Sequence, residues 1–335
     1  MRYRRFGSTA LTVSEVGFGC ARLGGFFQSA GRPEIVRLLR SALDRGVTFF
    51  DTSDMYTQGE SEMLLGEAFG RDRDAVVIAT KAGYVLPGRR RVASVLKPVL
   101  RPMIRSARLR TDQLPGRMRG SLSQDFSPSH LISAAERSLR RLRTDHIDVF
   151  QLHSPPPEVL TSGAFLDPLD LLQRQGKVRY YGVSCETTAD ALACLGHVQI
   201  SCIQLRLNLL DQSALTVVVP QATERGLGVV ARECYGGGPL ARPMSTVRPA
   251  QTVAEERRRE GQAQELSGLE RLAECHHDQL PQVALKFVLS QPGISVALLG
   301  MRTREQLESN LAHLAACSSW SEATSCYRLA AEADR

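Results

Sequence analysis

The sequence predicts an α/β protein: a single (β/α)8 barrel of the TIM type, with an N-terminal β-hairpin and long loops at the C-terminal face. Three observations predict it. Eight short apolar runs alternate along the chain with amphipathic helical patterns. The runs are continuously apolar, which marks parallel strands covered on both faces. No G-x-G-x-x-G follows the first run, so the fingerprint of a doubly wound dinucleotide-binding sheet is missing. At 335 residues and 43% hydrophobic content the chain can close one barrel over residues 1–335.

Taken in order, "RYRRF" and "LTVSEV" predict the hairpin. The strands follow as "EVGFG" (15–19), "TFFD" (48–51), "AVVIAT" (75–80), "IDVFQL" (147–152), "VRYYGV" (178–183), "SCIQL" (201–205), "GVVA" (228–231) and "SVALL" (295–299). Helical periodicity fills the intervals near 33–45, 61–70, 128–143, 164–175, 187–195, 212–225, 262–290 (two helices) and 303–314. Two insertions, 84–127 and 233–260, each follow a strand. In a barrel that places them at the C-terminal face, where active sites are built.

Composition excludes several classes. The longest apolar runs are far short of a bilayer span, and Met1 leads into "RYRRFGSTALTV" with no signal-peptide core, so a soluble cytoplasmic protein is expected. Eight cysteines (20, 185, 194, 202, 234, 275, 317 and 326) lack C-x-x-C or zinc spacing, which predicts free thiols and no metal. The net charge of +7 comes from 38 arginines against four lysines. Ten basic residues against two acidic ones fall between Arg89 and Asp125, within the first insertion.

Polar residues collect at the strand ends. Asp51 ends the second strand, Tyr56 follows in its loop, Lys81 ends the third and His153 the fourth. Singly, each is an ordinary polar strand end: a helix cap, a loop aromatic, a solvated lysine, a satisfied histidine. Together they describe proton-donating chemistry. A lysine cation lowers the pKa of a nearby phenol, an aspartate balances that lysine in the barrel mouth, and a histidine donates to a substrate oxygen. Such a site suits a carbonyl whose carbon receives a hydride.

The segments "MRYRRFGSTALTVSEVGFGCARLGG", "FFDTSDMYTQGESEMLLGEAF", "VVIATKAG", "SLRRLRTDHIDVFQLHSPP", "QGKVRYYGVS" and "GMRTREQLESNLAHL" resemble the aldo-keto reductases, in order and over nearly the whole chain. The resemblance implies a barrel that binds NADP(H) in an extended pose. It also implies a catalytic tetrad of Asp51, Tyr56, Lys81 and His153, with Tyr56 as the general acid-base. The activity implied is NADP(H)-dependent interconversion of a carbonyl compound, a sugar or other biosynthetic intermediate among the candidates, and its alcohol.

On the same resemblance the cofactor residues are Ser184, Cys185, Gln204, Arg232, Gly300, Arg302, Thr303, Gln306 and Asn310. The last five lie in "GMRTREQLESN", which looks like the family segment for the 2′-phosphate and predicts NADPH over NADH. Two positions depart from the family pattern: Cys185 stands where a carboxamide-gripping asparagine is usual, and Arg232 where an aromatic ring often stacks. Phe26, Phe27, Tyr84 and Tyr235 are the expected substrate-pocket residues.

The arginine-rich insertion next to Lys81 is a solvated lid or a recognition surface for an acidic or phosphorylated substrate. A non-catalytic NADP(H)-binding barrel acting as sensor or subunit is the alternative, and the intact tetrad argues against it. Nucleic-acid binding is disfavoured because no aromatics interleave with the arginines. A monomer acting on a small molecule is expected.

Overall fold

Continuous apolar runs become strands here because both of their faces are covered. The computed structural model describes residues 1–25, 30–85, 123–241, 268–269 and 279–316. Among them, β1 (Tyr3–Arg5) and β2 (Thr12–Ser14) form the expected antiparallel hairpin. The barrel strands are β3 (Val16–Gly19), β4 (Phe49–Asp51), β5 (Val77–Ala82), β8 (Ile147–His153), β9 (Val178–Ser184), β10 (Cys202–Arg206), β11 (Gly228–Arg232) and β12 (Ile294–Gly300), pairing in parallel and in chain order until β12 closes on β3. All eight predicted strands are present. The chain also adds β6 (Tyr84–Val85), paired antiparallel with β7 (Ser123–Gln124), so the two ends of the first insertion are zipped together beside β5. The arginines of that insertion, and Phe26 and Phe27, lie outside the described residues.

Helices cover the sheet as α1 (Arg32–Asp44), α2 (Glu60–Phe69), α3 (Pro128–Leu142), α4 (Pro157–Ser162), α5 (Leu166–Arg174), α6 (Thr188–Cys194), α7 (Ser213–Glu224), α8 (Leu280–Ser290) and α9 (Arg304–Ala316). Local chemistry explains their limits. Ser127 caps α3 by accepting from the His130 N–H, Pro128 opens it, and Leu131, Ala134, Ala135, Ser138, Leu139 and Leu142 make its buried stripe. Helix α4 was not expected. Its signals are a proline at the start and Gly163 in the left-handed region at φ 64°, but six residues carry too little apolar periodicity to announce a helix. Of the two helices expected over 262–290, α8 is the one described along its length.

Inside the barrel, the hairpin supplies the floor. Phe6, Leu11 and Val13 are buried with Phe49, Val77, Ala79, Val149, Cys202, Val230 and Val296. The hairpin docks tightly: the Ser8 N–H donates to the Gly226 carbonyl at 2.7 Å, and a Cβ on Gly7 (φ 59°) would come within 2.3 Å of that oxygen. Sealing this end leaves the opposite one, where the strands finish, for polar side chains.

Candidate active site

Strand register brings Asp51, Lys81 and His153 to the C-terminal mouth. Gly19 pairs with Asp51, Asp51 with Ala79, Lys81 with Gln151 and His153 with Ser184. Tyr56 arrives from the β4–α2 loop through a single helical turn in which Thr57 (φ 49°) and Gln58 (φ 63°) adopt left-handed backbone. Two non-glycine residues in that region cost energy that surrounding contacts must offset. One such contact is the Thr57 hydroxyl, which donates to the Leu23 carbonyl at 2.9 Å.

The Lys81 ammonium is fully buried, and its three N–H donors all have acceptors. Asp51 Oδ1 lies at 2.5 Å, the Thr52 carbonyl at 2.9 Å and Tyr56 Oη at 3.4 Å. Burial pulls the lysine down, but Asp51 and Tyr56 together hold its pKa above the ordinary value. Tyr56 corrects the sequence-based expectation. Burial pushes its phenol up and outweighs the downward pull of Lys81, so the net direction is upward. His153 meets Tyr56 edge-to-face at 5.7 Å and Tyr84 at 4.8 Å between centroids. Burial, reinforced by Lys81 and Arg232, lowers its imidazole to about 3 and keeps the ring neutral.

A polar row continues from Asp51 across the mouth. Gln204 Nε2 donates to Asp51 Oδ2 at 2.9 Å, and Ser184 Oγ donates to Gln204 Oε1 at 3.0 Å. Cys185 follows Ser184 in sequence but its thiol has other partners: the Cys194 sulfur in α6 at 3.6 Å and the Val183 carbonyl at 3.9 Å. The hydrogen bond with Cys194, and then burial, hold the thiol well above its usual pKa. Arg232 is not a lone cation beside the site. It closes a ring in which Glu186 and Glu233 each bridge Arg206 and Arg232, with contacts of 2.5 to 3.1 Å. Asp211, 3.8 Å from Arg206, adds a third carboxylate, so two positive side chains are set among three negative ones.

At the end of β12, Gly300 leaves open space where a side chain would stand. Thr303 Oγ1 accepts from the Gln306 N–H at 3.3 Å, and Gln306 Oε1 accepts from the Arg302 N–H at 2.8 Å. Both side chains therefore act as caps at the start of α9. Asn310 accepts from the Tyr235 hydroxyl at 3.0 Å, which ties a predicted pocket residue to a predicted cofactor residue. Sequence reasoning missed Ser53, whose Oγ lies 3.1 Å from His153 Nδ1, although "DTSDMY" places it beside Asp51. It also missed Glu186, Arg206 and Glu233, which are far apart in the chain and meet only through the barrel register.

The aldo/keto reductase family model matches residues 15–326. The chain is 27% identical to the uncharacterized oxidoreductase YqkF of Bacillus subtilis (strain 168), over 93% of this chain and 90% of that one. It is 26% identical to pyridoxal 4-dehydrogenase of Microbacterium luteolum, over 92% and 91%. Its fold is similar to the holo form of aldo-keto reductase AKR11C1 from Bacillus halodurans, with a TM-score of 0.77, 25% identity and coverage of 98% and 96%. The glycerol dehydrogenase AKR11B4 of Gluconobacter oxydans shares the fold at a TM-score of 0.76 and 22% identity, over 98% and 94%. The chain belongs to the aldo/keto reductase family, a family of nicotinamide-dependent oxidoreductases acting on carbonyl and alcohol groups. Among the described residues no helix is long and apolar enough to cross a membrane, and no group of three or more His, Cys, Asp or Glu could hold a metal.

Proposed function

We propose that the chain interconverts a small carbonyl compound and its alcohol using NADP(H), with Tyr56 as general acid-base. The observation that carries this is Lys81, a buried ammonium that hydrogen-bonds both Asp51 and Tyr56. At neutral pH the raised phenol is protonated and can donate to a carbonyl oxygen, while Lys81 stabilises the negative charge that grows on the phenol oxygen as its proton leaves. Neutral His153 adds a second hydrogen-bonding group for that oxygen. In the reverse direction Tyr56 takes the alcohol proton back.

The residues present fit a dinucleotide. Ser184 and Gln204 offer a hydroxyl and a carboxamide, the groups that grip a nicotinamide amide. The open space at Gly300 admits backbone approach, and exposed Arg302 at the start of α9 suits a 2′-phosphate. When bound, the nicotinamide supplies or accepts the hydride. Relatives named as dehydrogenases support alcohol oxidation as well as carbonyl reduction. The cationic insertion favours an acidic or phosphorylated substrate, and the protein acts as a monomer.

One calorimetric and kinetic series tests this. NADPH should bind more tightly than NADH, and Arg302→Ala should remove most of the difference. Tyr56→Phe should retain NADPH binding but lose at least about 100-fold in kcat on an aldehyde panel. Binding with no turnover by the wild type would leave the sensor or subunit role. Binding of neither nucleotide would overturn the cofactor assignment.

A further inference from the structure

Around His153 Nδ1 the chain places two polar residues that the proposed reaction has not used. Ser53 Oγ lies 3.1 Å from His153 Nδ1 and 3.3 Å from Asp54 Oδ1. The Met55 N–H donates to it at 3.2 Å and holds it in place, while the Lys81 carbonyl at 3.3 Å is a third acceptor competing with Asp54 and His153 for its one hydroxyl hydrogen. Because Nδ1 faces Ser53, Nε2 is the nitrogen left for a substrate oxygen.

We propose that Ser53 and Asp54 are positioning residues that set the tautomer of His153: protonated Asp54 selects an imidazole that donates from Nε2, and ionised Asp54 one that accepts there. The proposal rests on the oxidoreductase reading above and assigns the site a control over direction. A donating Nε2–H polarises a carbonyl for reduction, whereas a bare Nε2 accepts from an alcohol awaiting oxidation.

The proton count closes. With Asp54 protonated, its carboxyl donates to Ser53, the Ser53 hydroxyl donates to Nδ1, and Nε2 carries the imidazole hydrogen. On passing to the other state, the carboxyl proton moves to Ser53 Oγ, the Ser53 proton moves to Nδ1, and the Nε2 proton leaves to solvent. One proton is lost, and both ends of the relay stay hydrogen-bonded.

The surroundings of Asp54 place its titration where such a control is useful. Burial and the neighbouring Glu62 raise its carboxyl to about 7, against the opposing pull of Arg141, the Ser53 hydrogen bond and Arg137. Glu62 is itself held by the Thr80 hydroxyl at 2.6 Å and Arg141 Nε at 2.5 Å. The charged groups that act on His153 are Lys81 and Arg232, and it stays neutral throughout because burial, first, and these cations hold it near 3.

The test is 15N-detected NMR on the full chain labelled at histidine, without substrate, from about pH 5.5 to about 8.5, with the His153 signals assigned by loss in His153→Gln. The expected result is an Nε2–H tautomer at the acid end and Nδ1–H at the alkaline end. Asp54→Asn should hold one tautomer across the range, and Ser53→Ala should abolish the dependence even if Asp54→Asn folds poorly. A single tautomer throughout in the wild type, or an unchanged transition in Ser53→Ala, would overturn the relay. Because this readout needs no turnover, it stands apart from the carbonyl assays: loss of the reductase reading leaves the tautomer result intact. If both hold, the ratio of reduction to oxidation rates should fall with pH in the wild type by several-fold more than in Asp54→Asn.

Discussion

Lys81 and Asp51 show at single-residue scale why this site was visible before the fold was. A buried ammonium is tolerated only with its donors satisfied, so a lysine ending an apolar strand implies a carboxylate near it. What sequence could not show was the balance of burial against charge. Lys81 does pull the Tyr56 pKa down, but desolvation is larger, and desolvation belongs to the assembled barrel rather than to the two residues. Cys185 makes the same point, since its position beside Ser184 was legible and the direction of its thiol toward Cys194 was not.

His153 carries a pH prediction with a definite sign. Its folded pKa of about 3 lies below the ordinary histidine value of about 6.5. Between those values the unfolded chain binds a proton that the folded one refuses, so stability falls as pH drops. The thermal midpoint of His153→Gln should therefore lose less than that of the wild type between about pH 7.5 and about pH 5. Equal losses would show that the imidazole is not held neutral by burial.

At the scale of elements, the strands were legible because eight apolar runs met eight helical intervals, yet their ends ran on. β5 extends two residues past its apolar run to Ala82 and β8 one residue past its own to His153, so Lys81 and His153, read as strand ends, sit inside the ladder. The extension is mutual: Ala82 pairs with Leu152, and His153 with Ser184, so each strand is lengthened by its neighbour. Propensity within one segment carries no such signal. Helix α6 is short and follows Cys185 closely, and its start rests on a reciprocal cap. Thr187 accepts from the Asp190 N–H at 3.1 Å, while Asp190 accepts from the Thr187 N–H at 2.9 Å. Thr187→Ala should lower stability by about 1 kcal/mol, measured as a shift in the denaturation midpoint, with Thr187→Ser recovering most of it. No loss in Thr187→Ala would mean that packing of Ala191 and Cys194 alone holds the helix.

Across the whole molecule, the two ends of the barrel divide stability from chemistry. The floor is apolar and closed by a hairpin whose Arg4 is tied to the barrel: it donates to the Ile294 carbonyl of β12 and the Leu289 carbonyl of α8 at 2.8 Å and pairs with buried Glu15 at 3.0 Å. Phe6 is fully buried there, its ring 5.7 Å from that of Phe49 in β4. Phe49 lies two residues before Asp51 on the inward face of the same strand, so floor and mouth are successive layers of one interior. Truncating Phe6 to alanine should cost about 3 to 5 kcal/mol, because the closed strands around it cannot collapse into the space. Strand pairing, not Phe6, sets the height of Asp51 and Lys81, through Gly19 on one side and Gln151 on the other. Well below its lowered thermal midpoint, Phe6→Ala should therefore bind NADPH with wild-type affinity and turn over within about 2-fold of the wild-type rate. A kcat loss matching that of a tetrad variant, in protein shown to be folded by circular dichroism, would mean that packing at the floor is transmitted through β4 to the Lys81–Asp51 pair.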